Sequence, residues 1–120
     1  MRPHRVAACH AVFEDPNGVG WNLSVSYNAG LGRYLLCTEH TETHRGKLGV
    51  FDAPEPWGPW TTVAYHDNWL DLKGTGVGRE MLFVHIVTKW ISADGKTLWV
   101  VFTGGRDCFN LIRATLTLKQ

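Results

Sequence analysis

Apolar and polar residues alternate over Trp21-Asn22-Leu23-Ser24-Val25-Ser26-Tyr27, the period of a half-buried β-strand. Asn28-Ala29-Gly30-Leu31-Gly32 supplies turn residues, and Arg33–Glu39 runs back as a second apolar strand, so this stretch predicts a hairpin. A polar loop, His40–Gly46, leads into a strand over 47–53. Pro54, Pro56 and Pro59 follow, and each fixes φ and removes a backbone donor. They predict a stiff corner that carries Trp57 and Trp60, after which 60–66 reads as a fourth strand. Residues 21–66 are therefore expected to form one antiparallel meander, close in length to the about 40–50 residues of a propeller blade.

His66–Glu80 is a long glycine-rich connection, and beyond it the pattern restarts. Met81-Leu82-Phe83-Val84-His85-Ile86-Val87 is nearly unbroken apolar sequence, which predicts a strand buried on both faces. Ser92-Ala93-Asp94-Gly95-Lys96 turns it into 97–103, and Gly104–Asp107 turns again into 109–118. The second unit, 81–118, thus has three strands. The halves repeat: Ser26–Gly30 corresponds to Ser92–Gly95, and Arg33–Leu36 to Thr97–Val100. Residues 5–14 read as an extra N-terminal strand, closed by the turn signal Asp15-Pro16-Asn17-Gly18, and are expected to supply the second unit's fourth strand. The expectation is a single all-β domain over 1–120, with antiparallel meanders amounting to about two blades.

A chain of 120 residues is long enough to bury one core. The formal net charge of +1, without a basic cluster, gives no electrostatic footprint for nucleic acid. No run reaches the roughly 20 apolar residues of a membrane helix. The start, Met1-Arg2-Pro3-His4-Arg5, lacks an apolar secretion segment, so a cytoplasmic location is expected. Cys9, Cys37 and Cys108 are an odd number without CxxC spacing, which argues against a disulfide framework and a zinc knuckle. Cys37, in the run Tyr34-Leu35-Leu36-Cys37, is expected to be a buried, inert thiol. His10 and His85 read as core histidines, and Trp21, Trp57, Trp60, Trp90 and Trp99 as core tryptophans.

Ser92-x-Asp94-Gly95-x-x-x-Trp99 resembles the Ser-x-Asp-Gly hairpin turns of β-propellers that act on or bind sugars. Gly49-Val50-Phe51-x-Ala53-x-x-Pro56-x-Gly58-Pro59-Trp60 is similar to the strand–corner–strand of five-bladed propellers related to arabinanases and β-xylosidases, and to their uncharacterised bacterial relatives. The resemblance implies propeller blades, with the Trp of the turn motif packing between sheets and a carbohydrate as the expected ligand class. The hydrolytic members place three carboxylates from separate blades around a funnel. The motifs here match none of those residues, so no catalytic residue, metal or cofactor is expected. Two blades would leave apolar outer faces, which predicts a homo-oligomer, a trimer or a dimer, completing what one chain cannot close; the alternatives are two sheets folded onto each other as a small sandwich, or a truncated descendant of a longer propeller.

Candidate binding residues come from two loops that propeller geometry would bring to one face. Loop 39–45 offers Glu39, His40, Glu42 and His44, and loop 66–71 offers Asp67, Trp69 and Asp71. Asp107 stands in the equivalent loop of the second unit. An aromatic ring beside carboxylates and imidazoles suits a sugar: a face to stack on and planar acceptors for hydroxyls. Loop 39–45 also reads as a plain solvated hairpin tip. The expected function is a non-enzymatic binding protein with carbohydrate as its ligand. The alternatives are a glycoside hydrolase with a site between subunits, using Glu39, Glu42 or Asp67, and an interaction module without a small ligand.

Overall fold

The computed structural model describes residues 10–20, 22–42, 45–68, 82–104 and 108–119. Within them the chain forms two antiparallel sheets. The first, in the order β1-β2-β3-β4, contains β1 (Ser24–Asn28), β2 (Arg33–Glu39), β3 (Leu48–Ala53) and β4 (Thr61–His66). The second, β5-β6-β7, contains β5 (Leu82–Ile86), β6 (Thr97–Gly104) and β7 (Cys108–Thr115). A single 3₁₀ turn, Thr88–Trp90, follows β5. Among the described residues no helix is long and apolar enough to cross a membrane.

The sheets lie face to face. Leu35 and Cys37 of β2 and Leu48 of β3 meet Val84 and Ile86 of β5 and Leu98, Val100 and Phe102 of β6 in one buried cluster. Strand alternation explains the set, since in β2 and β6 it takes every second residue. A ladder of side chains on β1 fixes the alignment. Ser24 Oγ donates to the Val84 carbonyl at 2.6 Å, Ser26 Oγ to Ile86 at 3.1 Å, and Asn28 Nδ2 to Gly95 at 2.8 Å. The polar half of the Trp21–Tyr27 alternation therefore faces the neighbouring sheet, where its hydroxyls bond to carbonyls. Asn28 is fully buried, and its Oδ1 accepts the Leu31 amide at 3.2 Å, so one side chain ties two hairpin turns together. The first strands of the sheets are in contact, whereas β4 and β7 splay apart, giving the pair a wedge shape.

The hairpins match the sequence expectation closely, and β2 occupies the stretch expected for it. The turn Ser92–Lys96 is built as its motif implies. Ser92 Oγ and the Lys96 amide both donate to Asp94 Oδ1, at 2.6 and 2.9 Å, and Gly95 takes φ +76. These donors, the Ser92 hydroxyl first, hold the Asp94 carboxyl below its ordinary value. Its contribution to stability is thus full above the usual carboxylate range and is lost as pH falls through the lowered value. Burial pushes the Cys37 thiol up to about 12, so it stays protonated and inert at neutral pH.

Several expectations are corrected. Residues 10–14 form no strand and do not join the second sheet, while 5–9 lie outside the described residues. Phe13 instead covers the outer face of the first sheet, its ring 4.7 Å from that of Phe51 and 6.2 Å from that of Trp60. The strand expected to be buried on both faces is buried on one: Val84 and Ile86 point into the core, while Phe83 and His85 are exposed. His10, Trp57 and Trp90 are exposed as well, and Trp99 is half-buried on the face of β6 turned away from the core. The glycine-rich segment from 69 to 80, and Trp21, lie outside the described residues.

Candidate binding groove

Loops 39–42 and 66–67 do meet, but through a packed structural contact. His40 is 1% exposed, its ring stacked on Tyr65 with centroids 3.8 Å apart. Its Nε2 lies 2.8 Å from the His66 carbonyl oxygen and its Nδ1 3.0 Å from Thr41 Oγ1. A carbonyl only accepts, so in the neutral ring Nε2 carries the proton and Nδ1 accepts from the Thr41 hydroxyl. Glu39 is also enclosed, at 1% exposure, and presents no carboxylate to solvent. Glu42 is exposed and pairs with Arg45 at 3.7 Å; Asp67 is exposed. His44, Trp69, Asp71 and Asp107 lie outside the described residues. Among the described residues no three His, Cys, Asp or Glu side chains converge to hold a metal ion.

On the far side of Tyr65 the structure shows a groove of about 420 Å³ that the sequence does not announce. Its floor is β3 and β4, and its wall is the N-terminal segment from Val12 to Asn17. Phe13, Phe51, Trp60 and Tyr65 supply ring surface, and Asp15 and Asn17 supply polar atoms. Local geometry fixes the polar rim. Residues 15–18 form the turn that their sequence signals, with the Gly18 amide donating to the Asp15 carbonyl at 2.9 Å. Asp15 Oδ1 accepts the Asn17 amide at 2.9 Å, which leaves Oδ2 to accept the Tyr65 hydroxyl at 2.6 Å. Asn17 Nδ2 in turn donates to the Tyr65 oxygen at 3.0 Å. Desolvation and then the bond to the Asp15 carboxylate push the Tyr65 phenol above its ordinary value. The hydroxyl therefore remains a donor across the neutral range.

Trp60 reaches the groove because the proline corner folds back on itself. The Gly58 amide donates to the Glu55 carbonyl at 3.0 Å, Gly58 takes φ +110 and the Gly58–Pro59 peptide is cis. A Cβ on Gly58 would stand 3.2 Å from the Trp60 ring, so glycine lets the indole lie against the corner. Two other hollows, of about 570 and 400 Å³, occupy the wedge where β4 and β7 part. The larger is lined by leucines and Val63 together with Arg33, Asp52, threonines and Lys119, the smaller mainly by aliphatic side chains, and neither presents a Phe, Tyr or Trp ring. No family model, curated protein or solved structure matches the chain.

Proposed function

We propose that this chain is a non-catalytic binding protein and that its ligand is a carbohydrate, held in the groove between residues 12–17 and β3–β4. The observation that carries the reading is the composition of the groove. Aromatic rings from Phe13, Trp60 and Tyr65 line the same hollow as the Asp15–Tyr65–Asn17 hydrogen-bond network. A pyranose has an apolar face of C–H groups and a rim of hydroxyls, and this pairing suits both. The volume is of the size that takes a small ligand. Aromatic and acceptor come from segments about fifty residues apart and meet only on folding. Hydrolysis would need two reachable carboxylates. Glu39 is enclosed, and Glu42 and Asp67 are exposed but outside the groove. Of the two carboxylates that line it, Glu14 and Asp15, the latter is held by the Asn17 amide and the Tyr65 hydroxyl, which favours binding over catalysis.

A glycan array followed by calorimetry on the best hit tests this. Asp15→Asn keeps an acceptor for the turn but removes the charge, and is expected to weaken binding about tenfold, the scale of one charge-assisted hydrogen bond. Trp57→Ala removes an aromatic that is 65% exposed outside the groove and should leave the affinity unchanged. Loss of binding with Trp57→Ala but not with Asp15→Asn would place the ligand elsewhere.

A further inference from the structure

The two sheets differ in how many of their faces are covered. In β2 every residue from Leu35 to Glu39 is buried, because the second sheet covers one face and the N-terminal segment part of the other. In β6 burial alternates strictly, and Trp99, Val101 and Thr103 look outward. Phe109 and Leu111 of β7, exposed by 73% and 47%, and His85 of β5, which pairs with Val101, share that outward face. We propose that this open face binds the first sheet of a second copy of the chain, head to tail, and that the copies close into a ring. The inference stands apart from the groove and its ligand.

The register identifies the occupant. In the first sheet Cys37 pairs with Ser24 on one side and Val50 on the other. In the second, Val101 pairs with His85 and Leu111. The hairpins align the two sets, since Asn28 pairs with Arg33 across the first turn and Ser92 bonds Thr97 across the second. Leu35 and Cys37, by which the first sheet holds the second, thus correspond to Trp99 and Val101, which are half-buried and, among the described residues, meet no other sheet. The open face is the second sheet's version of a face already used once inside the molecule. What it would accept is a sheet presented as the second is presented to the first, and the first sheet of another copy has such a face.

That face is left free where it would be needed. The N-terminal segment covers its β3–β4 half through Phe13, Asp15 and Asn17. The β1 side stays open, with Leu23, Val25 and Tyr27 exposed. Inside the chain the backbones approach most closely where β1 and β2 meet β5, although Leu48 of β3 also packs between the sheets, so the open β1 side is the side of closest approach. Head-to-tail association of two different faces gives rings if the rotation closes and filaments if it does not. The wedge, with first strands touching and last strands splayed, supplies a rotation of constant sense about the first strands, which curves the stack back on itself. Rings of about four to eight sheets are the sizes such stacking closes. A cyclic trimer of six is expected, within a range of two to four copies.

Light scattering after gel filtration tests it with two complementary variants. Phe109→Lys spoils the open face of the second sheet, and Val25→Lys spoils the open half of the first. The wild type should run as one discrete species of two to four copies, and each variant alone as a monomer. An equimolar mixture of the variants should give a heterodimer and go no further, because one intact pair of faces remains. Leu111→Lys and Tyr27→Lys repeat the two halves, with circular dichroism confirming that each variant folds. A monomeric wild type, a Val25→Lys protein that keeps the wild-type mass, or a mixture that stays monomeric would overturn the proposal.

Discussion

Replacing Gly30 by alanine is expected to destabilise the protein by about 3 kcal/mol, an overpacking cost at the upper end of the usual range. A Cβ at this position would stand 2.6 Å from the Ala93 carbonyl oxygen and closer still to the Gly95 amide nitrogen. Both are backbone atoms of the opposite hairpin and cannot rotate aside. The turns would have to part, and the Asn28–Gly95 hydrogen bond that ties them would go with them. In a chain of this length the loss corresponds to a fall in Tm of roughly 10–15 °C. Gly32 is the control. Its φ is +63, yet nothing lies within 4 Å of a Cβ there, so Gly32→Ala should cost only about 1 kcal/mol for the left-handed conformation. Sequence-based reasoning about turn glycines would rank the two the other way, so thermal melts of the pair separate close approach from turn geometry. Equal, small losses would mean that the hairpins do not interlock.

The second large effect contrasts two phenylalanines of the second sheet. Phe102 is 3% exposed within the cluster between the sheets, and Phe102→Ala is expected to cost about 3–5 kcal/mol through lost burial and the cavity left behind. Phe109 lies on the adjacent strand but on the opposite face, and Phe109→Ala should change the stability of the dilute chain by less than about 0.5 kcal/mol. Urea unfolding of the two variants reports directly which face of the second sheet is inside. Comparable losses would mean that both faces are covered, and losses in the reverse order would turn the sheet over.

The strands were legible in the sequence because alternation, proline and glycine act locally. Arg33–Glu39 and the Ser92–Lys96 turn needed nothing beyond their own residues and close neighbours. The faces were harder to read. Phe83, Trp90 and Trp99 look like core residues in an apolar stretch, but an apolar stretch records what a face can bury and not whether the same chain supplies the cover. The N-terminal segment shows a related limit. Its apolar residues suggested a paired strand, whereas the described residues 10–14 pair with no strand and Phe13 contributes a ring to the first sheet, the backbone meeting the end of β2 only further on, at Val19 and Gly20.

The candidate site was legible only in part. Loops 39–45 and 66–71 were expected together, and His40 and His66 do touch, but the contact is buried and structural. Asp15 was read as a turn former, and it is one through Oδ1. Its other oxygen meets Tyr65, fifty positions away, and no local pattern in the chain announces that contact. The groove exists because Phe13, Trp60 and Tyr65 come from three separate segments, each of which has an adequate local explanation of its own.

The groove, the proposed ring and the interlocked turns all depend on the two sheets forming one cooperative body joined through β1 and β5. Native-state hydrogen exchange measures this most directly. The account predicts that the amides of β2 and β6 exchange only through a shared global opening, with the same free energy and the same response to denaturant. Exchange of β5–β7 at a distinctly lower free energy, while β1–β4 stay protected, would show that the sheets fold apart and would contradict it.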